Sequence, residues 1–408
     1  MQVTTETSKK YIVMKNNTLK KFKSVGLLPK ILLAIVLGMG CSFFFPGWAV
    51  RIFLTFNSIF SNFLGLFIPL LIIGLVAPGI ADLGKGGGRL LLVTVAIAYL
   101  STILSGTFTL VSCEAAYPIL LGDGMTALGE TDMSTTLMPY FTIEMPAFIS
   151  VTSALVVAFI LGLTAAVIEG HTMKDLLVDM KDIVTLIIGK VIIPLLPLYI
   201  FGVFLHMGAD GHIGAVLGMF VKIILFIFLL HVTVLLAIFC VAGLITKKNP
   251  FKALVTMLPA YVTALGTASS AATIPVTLAQ AIKCGVREET AAFSVPLCAT
   301  IHMPCSILKI TACSYAIALS FGLPHDFGTF MGFILMASIT MIAAPGVPGG
   351  AIMATLGLMS TMLGFDEGMQ GLMIAIYISI DSIGTAGNVT GDGAIALIID
   401  HIRDKIKK

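Results

Sequence analysis

The chain has 408 residues, of which 58% are hydrophobic and only 11% are charged. A soluble domain is about a quarter charged, so this composition excludes an ordinary soluble protein. The formal net charge of +3 gives no indication of a nucleic-acid partner, and the seven cysteines show no paired spacing typical of a disulfide framework or a zinc site.

Residues 1–25 are polar and basic, and the apolar run that follows is too long for the core of a cleaved signal. We therefore expect a cytoplasmic N-terminal segment. Apolar stretches of about 20 residues then recur, which is the length needed to cross a membrane as a helix. They lie near 26–48, 53–78, 88–112, 146–168, 183–206, 214–245, 290–321 and 368–400.

The distribution of positive charge predicts a topology, because cytoplasmic loops are enriched in Lys and Arg. With a cytoplasmic N-terminus, only Arg51 among the loop cations falls outside. This agreement requires segments 253–285 and 327–365 to enter and leave on the same side, as re-entrant hairpins. The predicted cytoplasmic cations are Lys85, Arg89, Lys174, Lys181, Lys247, Lys248, Lys252, Lys283, Arg287, Arg403, Lys405, Lys407 and Lys408.

Both hairpin segments have a polar or glycine-rich centre between two apolar arms. The centres read GTASSAAT at 266–273 and PGVPGG at 345–350. Non-helical backbone at membrane depth needs protein or a wet cavity for hydrogen bonding, so these tips are predicted to lie at a binding site. The alternative is that each segment is a single kinked transmembrane helix, since Pro and Gly are common there.

Each predicted hairpin is followed by a long apolar segment with a polar break. The breaks are ATIHMPCSILK at 299–309 and DSIGTAGNVTGDG at 381–393. A hairpin plus an interrupted helix, present twice with opposite entry sides, is typical of an inverted-repeat secondary transporter.

The last span carries four polar residues with helical spacing. Asp381, Thr385, Asn388 and Asp392 are separated by four, three and four positions, so they share one face of a helix. Ionisable groups within the membrane usually mark a substrate or ion path. We assign this role to Asp381 and Asp392, whereas Asp400 is expected in water near the cytoplasmic end.

The preceding span carries His302 and Lys309, two turns apart on one face. A buried ammonium needs a partner, and Asp392 or Asp381 can supply it. Lys309 then takes space where another transporter would hold a metal cation. A purely structural salt bridge or a snorkelling lysine is the alternative for Lys309. His302 can relay protons, or it can be a core histidine with satisfied hydrogen bonds.

Two other functional classes fit the sequence less well than a transporter. An intramembrane enzyme would need an activated nucleophile, but the chain has neither a Gly-x-Ser-x-Gly turn nor a His-Glu-x-x-His motif. A channel would leak current without substrate, whereas two closing hairpins favour occlusion. The sequence therefore predicts a transporter and not an enzyme.

Four motifs between residues 269 and 392 resemble those of the dicarboxylate/amino acid:cation symporter family, the glutamate transporter homologues. They are Ser-Ser-Ala-Ala-Thr-Ile-Pro-Val-Thr at 269–277, Pro-Leu-Cys-Ala-Thr-Ile at 296–301, Gly-Val-Pro-Gly at 346–349 and Asn-Val-Thr-Gly-Asp at 388–392. The similarity runs from about residue 26 to the C-terminus and is most specific after residue 260.

The resemblance implies an all-α polytopic membrane protein with eight transmembrane helices and two re-entrant hairpins, working as an inverted-repeat elevator. It implies a homotrimer in lipid, in the cell inner (plasma) membrane, with both termini cytoplasmic. The implied divisions are an N-terminal segment 1–25, scaffold helices at 26–82 and 113–206, and transport-domain parts at 83–112 and 207–408.

The resemblance also implies roles at the substrate site. Asp381 would receive the α-ammonium of an amino acid, and Thr385 with Asn388 would bind its carboxylate, as suits their hydrogen-bonding groups. The hairpin tips would close around the substrate, contributing Ser269, Ser270, Thr273, Gly346 and Val347.

One departure from the family bears on the substrate. Acidic-substrate members have an arginine three residues after the aspartate of the last helix, where this chain has Gly384. No guanidinium is then available for a side-chain carboxylate. We predict a small neutral amino acid such as serine, threonine or alanine, with an acidic amino acid or dicarboxylate as the alternative.

A second departure bears on the coupling ion. The family's sodium-binding Asn-Met-Asp-Gly-Thr motif reads His-Met-Pro-Cys-Ser at 302–306, so its carboxylate is lost. Degraded sodium sites would retain Thr300, Asn388 and Asp392. Because Lys309 stands where the family has a large neutral residue, we predict weaker or absent sodium dependence, with Lys309 or protons supplying charge. No cofactor is predicted beyond Na⁺ or H⁺ as coupling ion.

Overall fold

The computed structural model describes residues 27–83, 88–121, 137–168, 170–209, 213–341 and 349–406. Within these ranges the regular structure is helical and contains no β-strand. This agrees with the prediction of an all-α protein. Helices suit a lipid environment because each helix satisfies its own backbone hydrogen bonds. The N-terminal segment, Lys85, Gly346, Val347 and the last two lysines lie outside the described residues.

The first half of the chain forms long apolar helices. α1 packs against α6, and α2 packs against α4, α5 and α6. A five-residue π-helical segment, Ile188–Ile192, joins α5 to α6. The helices are α1 (Leu27–Ser42), α2 (Gly47–Leu83), α3 (Gly88–Leu121), α4 (Val151–Val167), α5 (Thr172–Ile187), α6 (Ile193–Ala209) and α7 (Ile213–Thr246).

The second half consists of shorter helices packed around the last one. α15 contacts α7, α8, α9, α10 and α11, and α3 packs along α11. The helices are α8 (Pro250–Thr267), α9 (Ser270–Lys283), α10 (Glu288–Ile301), α11 (Pro304–Ser320), α12 (Phe327–Met341), α13 (Gly350–Leu363), α14 (Glu367–Ser379) and α15 (Asp381–Ile406).

Five helical segments of the described chain are long and apolar enough to cross a membrane, or six if α14 and α15 form one broken span. α1 and α4 are apolar but shorter, with 16 and 17 residues. The described helices are therefore consistent with a polytopic membrane protein, while the count of eight spans stays a prediction.

Both predicted hairpins form pairs of short helices. α8 and α9 pack against each other, as do α12 and α13. The first tip is much shorter than predicted, because only Ala268 and Ser269 separate the two helices and 270–273 are already helical. Ser269 caps α9 through its side chain, which lets the helix begin within the polar run.

The predicted breaks in the two long segments have different outcomes. The first is confirmed, since His302 and Met303 separate α10 from α11. The second segment is also interrupted, but the chain bends by 59° at Ile380, one residue before the predicted run. Residues 381–393 themselves lie within the continuous helix α15. Asp381, Asn388 and Asp392 find side-chain partners on α11 or at the break before it. The Thr385 and Thr390 hydroxyls donate to carbonyls one turn back on α15, so the run stays helical.

Two boundary predictions are also corrected. Lys174 and Lys181 lie on α5 and not in a loop, because Leu177 and Val184 give this charged segment one buried face. α3 continues nine residues beyond the predicted span to Leu121 and carries Glu114, half-buried, on a helix rather than in a loop. Glu144 lies exposed in irregular chain.

Candidate substrate and cation site

The break between α10 and α11 lies against α3, and this contact positions the N-terminus of α11. Thr102 Oγ accepts a hydrogen bond from the Met303 backbone N–H at 3.3 Å. Ser105 Oγ donates to the Pro304 carbonyl at 2.7 Å. Pro304 is the first residue of α11, where its missing N–H has no consequence for the helix.

His302 and Asp392 form a buried pair at this break. His302 Nδ1 lies 2.9 Å from Asp392 Oδ1, and each residue is only 1% exposed. Because an ionised carboxylate only accepts, Nδ1 is the donor. His302 Nε2 lies 3.0 Å from Ser101 Oγ on α3. The pair therefore links α3, the helix break and α15.

Asn388, one turn before Asp392, caps the N-terminus of α11. Its Oδ1 accepts the Cys305 backbone N–H at 2.8 Å, and its Nδ2 donates to Ser306 Oγ at 2.8 Å. The first N–H groups of a helix have no partner within the helix. Asn388 satisfies one of them while lying 5% exposed.

Lys309 pairs with Asp381, which decides between the two partners left open by the sequence. Lys309 Nζ lies 3.0 Å from Asp381 Oδ1 and 3.4 Å from the Asp381 carbonyl oxygen. It also lies 3.9 Å from the centre of the Tyr377 ring, within cation–π range. Lys309 is 1% exposed, so its ammonium is compensated entirely inside the protein.

The second oxygen of Asp381 contacts the second hairpin. Asp381 Oδ2 accepts the Gly349 backbone N–H at 2.8 Å. Gly349 immediately precedes α13 and has a φ of +78°, a conformation that glycine adopts without steric cost. The carboxylate therefore joins α11, α15 and the start of α13.

Gly384 allows Lys309 to reach Asp381. A Cβ at position 384 would lie 2.3 Å from Lys309 Cε and 2.4 Å from its Nζ. No side chain fits there unless Lys309 moves. The space in which acidic-substrate relatives are expected to hold an arginine is therefore occupied by an ammonium from a different helix.

Two further candidates make local contacts. Thr385 is 8% exposed, and its hydroxyl donates to the Asp381 carbonyl at 3.0 Å. Thr300 is exposed on α10, and its hydroxyl donates to the Leu297 carbonyl at 2.8 Å. Its side chain is thus engaged on its own helix.

The first hairpin tip is held by its own hydroxyl groups. Ser269 Oγ accepts the Ala272 N–H at 3.3 Å, and Thr273 Oγ donates to the Ser269 carbonyl at 2.8 Å. Thr267 Oγ lies 3.2 Å from Thr273 Oγ. Ser270 begins α9.

The oxygens predicted to bind sodium are already engaged by protein donors. Asp392 accepts from His302, and the Asn388 side-chain oxygen accepts from Cys305. A hard cation needs several free oxygen ligands. Asp392 Oδ1 and Asn388 Oδ1 are committed to protein donors, so fewer oxygen ligands are free for sodium while these two bonds persist.

Sequence reasoning missed three contributors to this site. Tyr377 precedes Asp381 by four positions, across the bend at Ile380, and this short separation in sequence could have indicated it. Ser101 gives no signal in the sequence. His231 is the lone histidine in an apolar span; its Nε2 lies 3.3 Å from the Tyr261 hydroxyl, and with Lys309 it lines a cavity of about 210 Å³.

The chain is similar to known transporters over nearly its whole length. A family model described as the sodium:dicarboxylate symporter family matches residues 27–402. A serine/threonine transporter SstT of Acinetobacter baumannii is 29% identical over 402 residues, covering 94% of this chain and 98% of the relative. SstT of Acinetobacter baylyi is 29% identical (92% and 97% covered), and SstT of Streptococcus suis is 27% identical (83% and 96% covered).

Proposed function

Because the chain belongs to the sodium:dicarboxylate symporter family, we propose that it carries a small neutral amino acid, serine or threonine, across a cell membrane together with a cation. Membership makes it a membrane transporter and not an enzyme. The observation that carries the choice of substrate is Gly384, beside which Lys309 fills the space that a guanidinium would need. The names of the similar serine/threonine transporters support the same choice.

In this proposal the substrate binds between the two hairpin tips and α15. Asp381 receives the α-ammonium, since a carboxylate is the strongest acceptor for it. Thr385 and Asn388 provide the hydroxyl and amide donors for the carboxylate. The backbone near Ser269 and Ser270, with the second tip around Gly346 and Val347, closes over the substrate.

The moving part in this proposal comprises α3 and α7 to α15, and the scaffold comprises α1, α2 and α4 to α6. The packing of α1 on α6 and of α2 on α4 supports a scaffold of these helices. Assembly as a homotrimer, an elevator movement and cytoplasmic termini belong to the same proposal.

The coupling cation is proposed to act near Asp392. Sodium coupling is supported by the family description. Asp392 Oδ1 and Asn388 Oδ1 already accept hydrogen bonds from the protein, which favours weaker sodium dependence than in members that keep the lost carboxylate. Protons or amino-acid exchange are the alternatives.

The test is uptake by purified protein in liposomes, with radiolabelled serine, threonine, alanine and aspartate as substrates. Each is measured with an inward sodium gradient, an inward proton gradient or neither. Saturable serine or threonine uptake supports the proposal, and the effective gradient identifies the cation. Aspartate uptake that exceeds serine uptake would contradict the neutral substrate.

A further inference from the structure

Both side-chain oxygens of Asp381 accept hydrogen bonds from protein donors. Oδ1 holds the Lys309 ammonium at 3.0 Å, and Oδ2 holds the Gly349 N–H at 2.8 Å. Asp381 itself is 7% exposed. An amino acid that places its own ammonium on this carboxylate must therefore displace one of these two donors.

Lys309 is the donor that resembles the incoming group. Its Nζ and an α-ammonium carry the same charge and make the same kind of hydrogen bond. Two ammonium groups on one carboxylate oxygen would repel each other, whereas a neutral N–H beside an ammonium would not. Electrostatics therefore favour exchange of Lys309 and retention of the Gly349 contact.

We propose that Lys309 is a tethered counter-ion that neutralises Asp381 in the amino-acid-free protein and is displaced from it by the substrate's α-ammonium. The inference rests on the proposed function, since it assumes an amino acid at Asp381. It assigns to Lys309 a role in the transport cycle that is separate from holding the fold together.

The surroundings of Lys309 allow this displacement. Its Nζ already lies near the Asp381 carbonyl and the Tyr377 ring, which remain as partners when the carboxylate is given up. The cavity of about 210 Å³ beside Lys309 and His231 is otherwise lined by apolar side chains, and it provides room for the methylene stem while the ammonium stays near these polar partners. Its flexible four-carbon stem can follow such a movement.

The counter-ion matters most when the site is empty. An unpaired carboxylate at membrane depth is unfavourable, so a transport domain with a bare Asp381 would return slowly. With Lys309 on Asp381 the empty protein needs no external cation at this position. Net uptake requires the empty protein to return, whereas exchange of one amino acid for another does not.

The experiment compares net uptake with exchange in proteoliposomes, using labelled serine. Net uptake is measured into vesicles without amino acid, and exchange into vesicles loaded with unlabelled serine. Lys309→Met should lower the maximal rate of net uptake at least about tenfold relative to exchange. It should also lower the half-saturating serine concentration, because a competitor for Asp381 is removed. The control Lys222→Met removes an exposed lysine of α7 and should change neither quantity.

A second variant approaches the pair from the other helix. Gly384→Ala places a Cβ 2.3 Å from Lys309 Cε and should push the ammonium off Asp381, so it should also slow net uptake relative to exchange. Gly218→Ala is its control, because that position has open space.

The inference is overturned if both variants lower net uptake and exchange in equal proportion, which is the pattern of a structural salt bridge. It is also overturned if neither mode changes, or if half-saturation rises. Failure of the proposed function is distinct, because the unmutated protein would then exchange no serine.

Discussion

His302 Nδ1 donates a 2.9 Å hydrogen bond to Asp392 Oδ1 in the buried interior of the bundle. This pair joins a residue of the helix break to the carboxylate proposed to act with the coupling cation. As long as the bond persists, one oxygen of Asp392 is unavailable to sodium, so replacing the imidazole is expected to alter the ion dependence.

His302→Asn should increase the apparent affinity for sodium. The amide contributes an oxygen and no longer holds Asp392 through a ring N–H, so more hard ligands are free. The measurement is serine uptake as a function of external sodium, in which half-saturation should fall. His325→Asn, in the loop before α12, is the control; an unchanged sodium curve for His302→Asn would contradict the expectation.

Gly384→Arg alone should abolish transport, because its side chain would start 2.3 Å from Lys309 Cε. Adding Lys309→Leu removes both the clash and the competing ammonium. The double variant should gain aspartate uptake, since a guanidinium binds a side-chain carboxylate in a bidentate manner. Competition between labelled aspartate and unlabelled serine measures the change, and a double variant that still prefers serine would disprove it.

Asn388→Ala should destabilise the protein and stop transport. It leaves the Cys305 N–H without its acceptor and removes the donor to Ser306 Oγ, and a buried unsatisfied group costs about 1–3 kcal/mol. Ser306→Ala is the matched control, because it leaves the bond from the Cys305 N–H to Asn388 Oδ1 in place. The apparent melting temperature in detergent should fall clearly for Asn388→Ala and less for Ser306→Ala.

Ser269→Ala should weaken serine binding as well as the first hairpin. Loss of an N-cap side chain costs about 0.5–2 kcal/mol of helix stability. Ser150→Ala is the control, because it removes an equivalent N-cap from α4, a helix that does not pack against α15 in the described structure. Both variants should lose similar thermal stability, but only Ser269→Ala should raise half-saturation for serine uptake. Equal transport by the two variants would remove Ser269 from the site.

Much of the fold could be predicted because hydrophobicity and charge are local properties of the sequence. The apolar stretches, the two helical hairpins and the break at His302 all follow from residue type and spacing. The break at Ile380 did not, because a polar run in an apolar segment indicates exposed backbone unless its side-chain partners are known.

The candidate site was predictable in composition but not in pairing. The spacing placed Asp381 and Asp392 on one face of α15, as the structure has them. The prediction that His302 and Lys309 share one helix face is wrong, because His302 lies in the break before α11. Which acid meets which base depends on the axial position of one helix relative to the other. That position is accompanied by the space at Gly384 and by the contact of α3 with the break, and neither feature appears as periodicity in the sequence.

The close approach of Lys309 to Gly384 also constrains how this chain can evolve. A side chain introduced at position 384 would clash with Lys309 and so could not by itself create a new substrate specificity. Loss of Lys309 alone would leave Asp381 Oδ1 without its ammonium partner. The two positions should therefore vary together among relatives, with lysine at the first accompanied by glycine at the second. A change from neutral to acidic substrates, or the reverse, would therefore require coordinated substitutions at both positions.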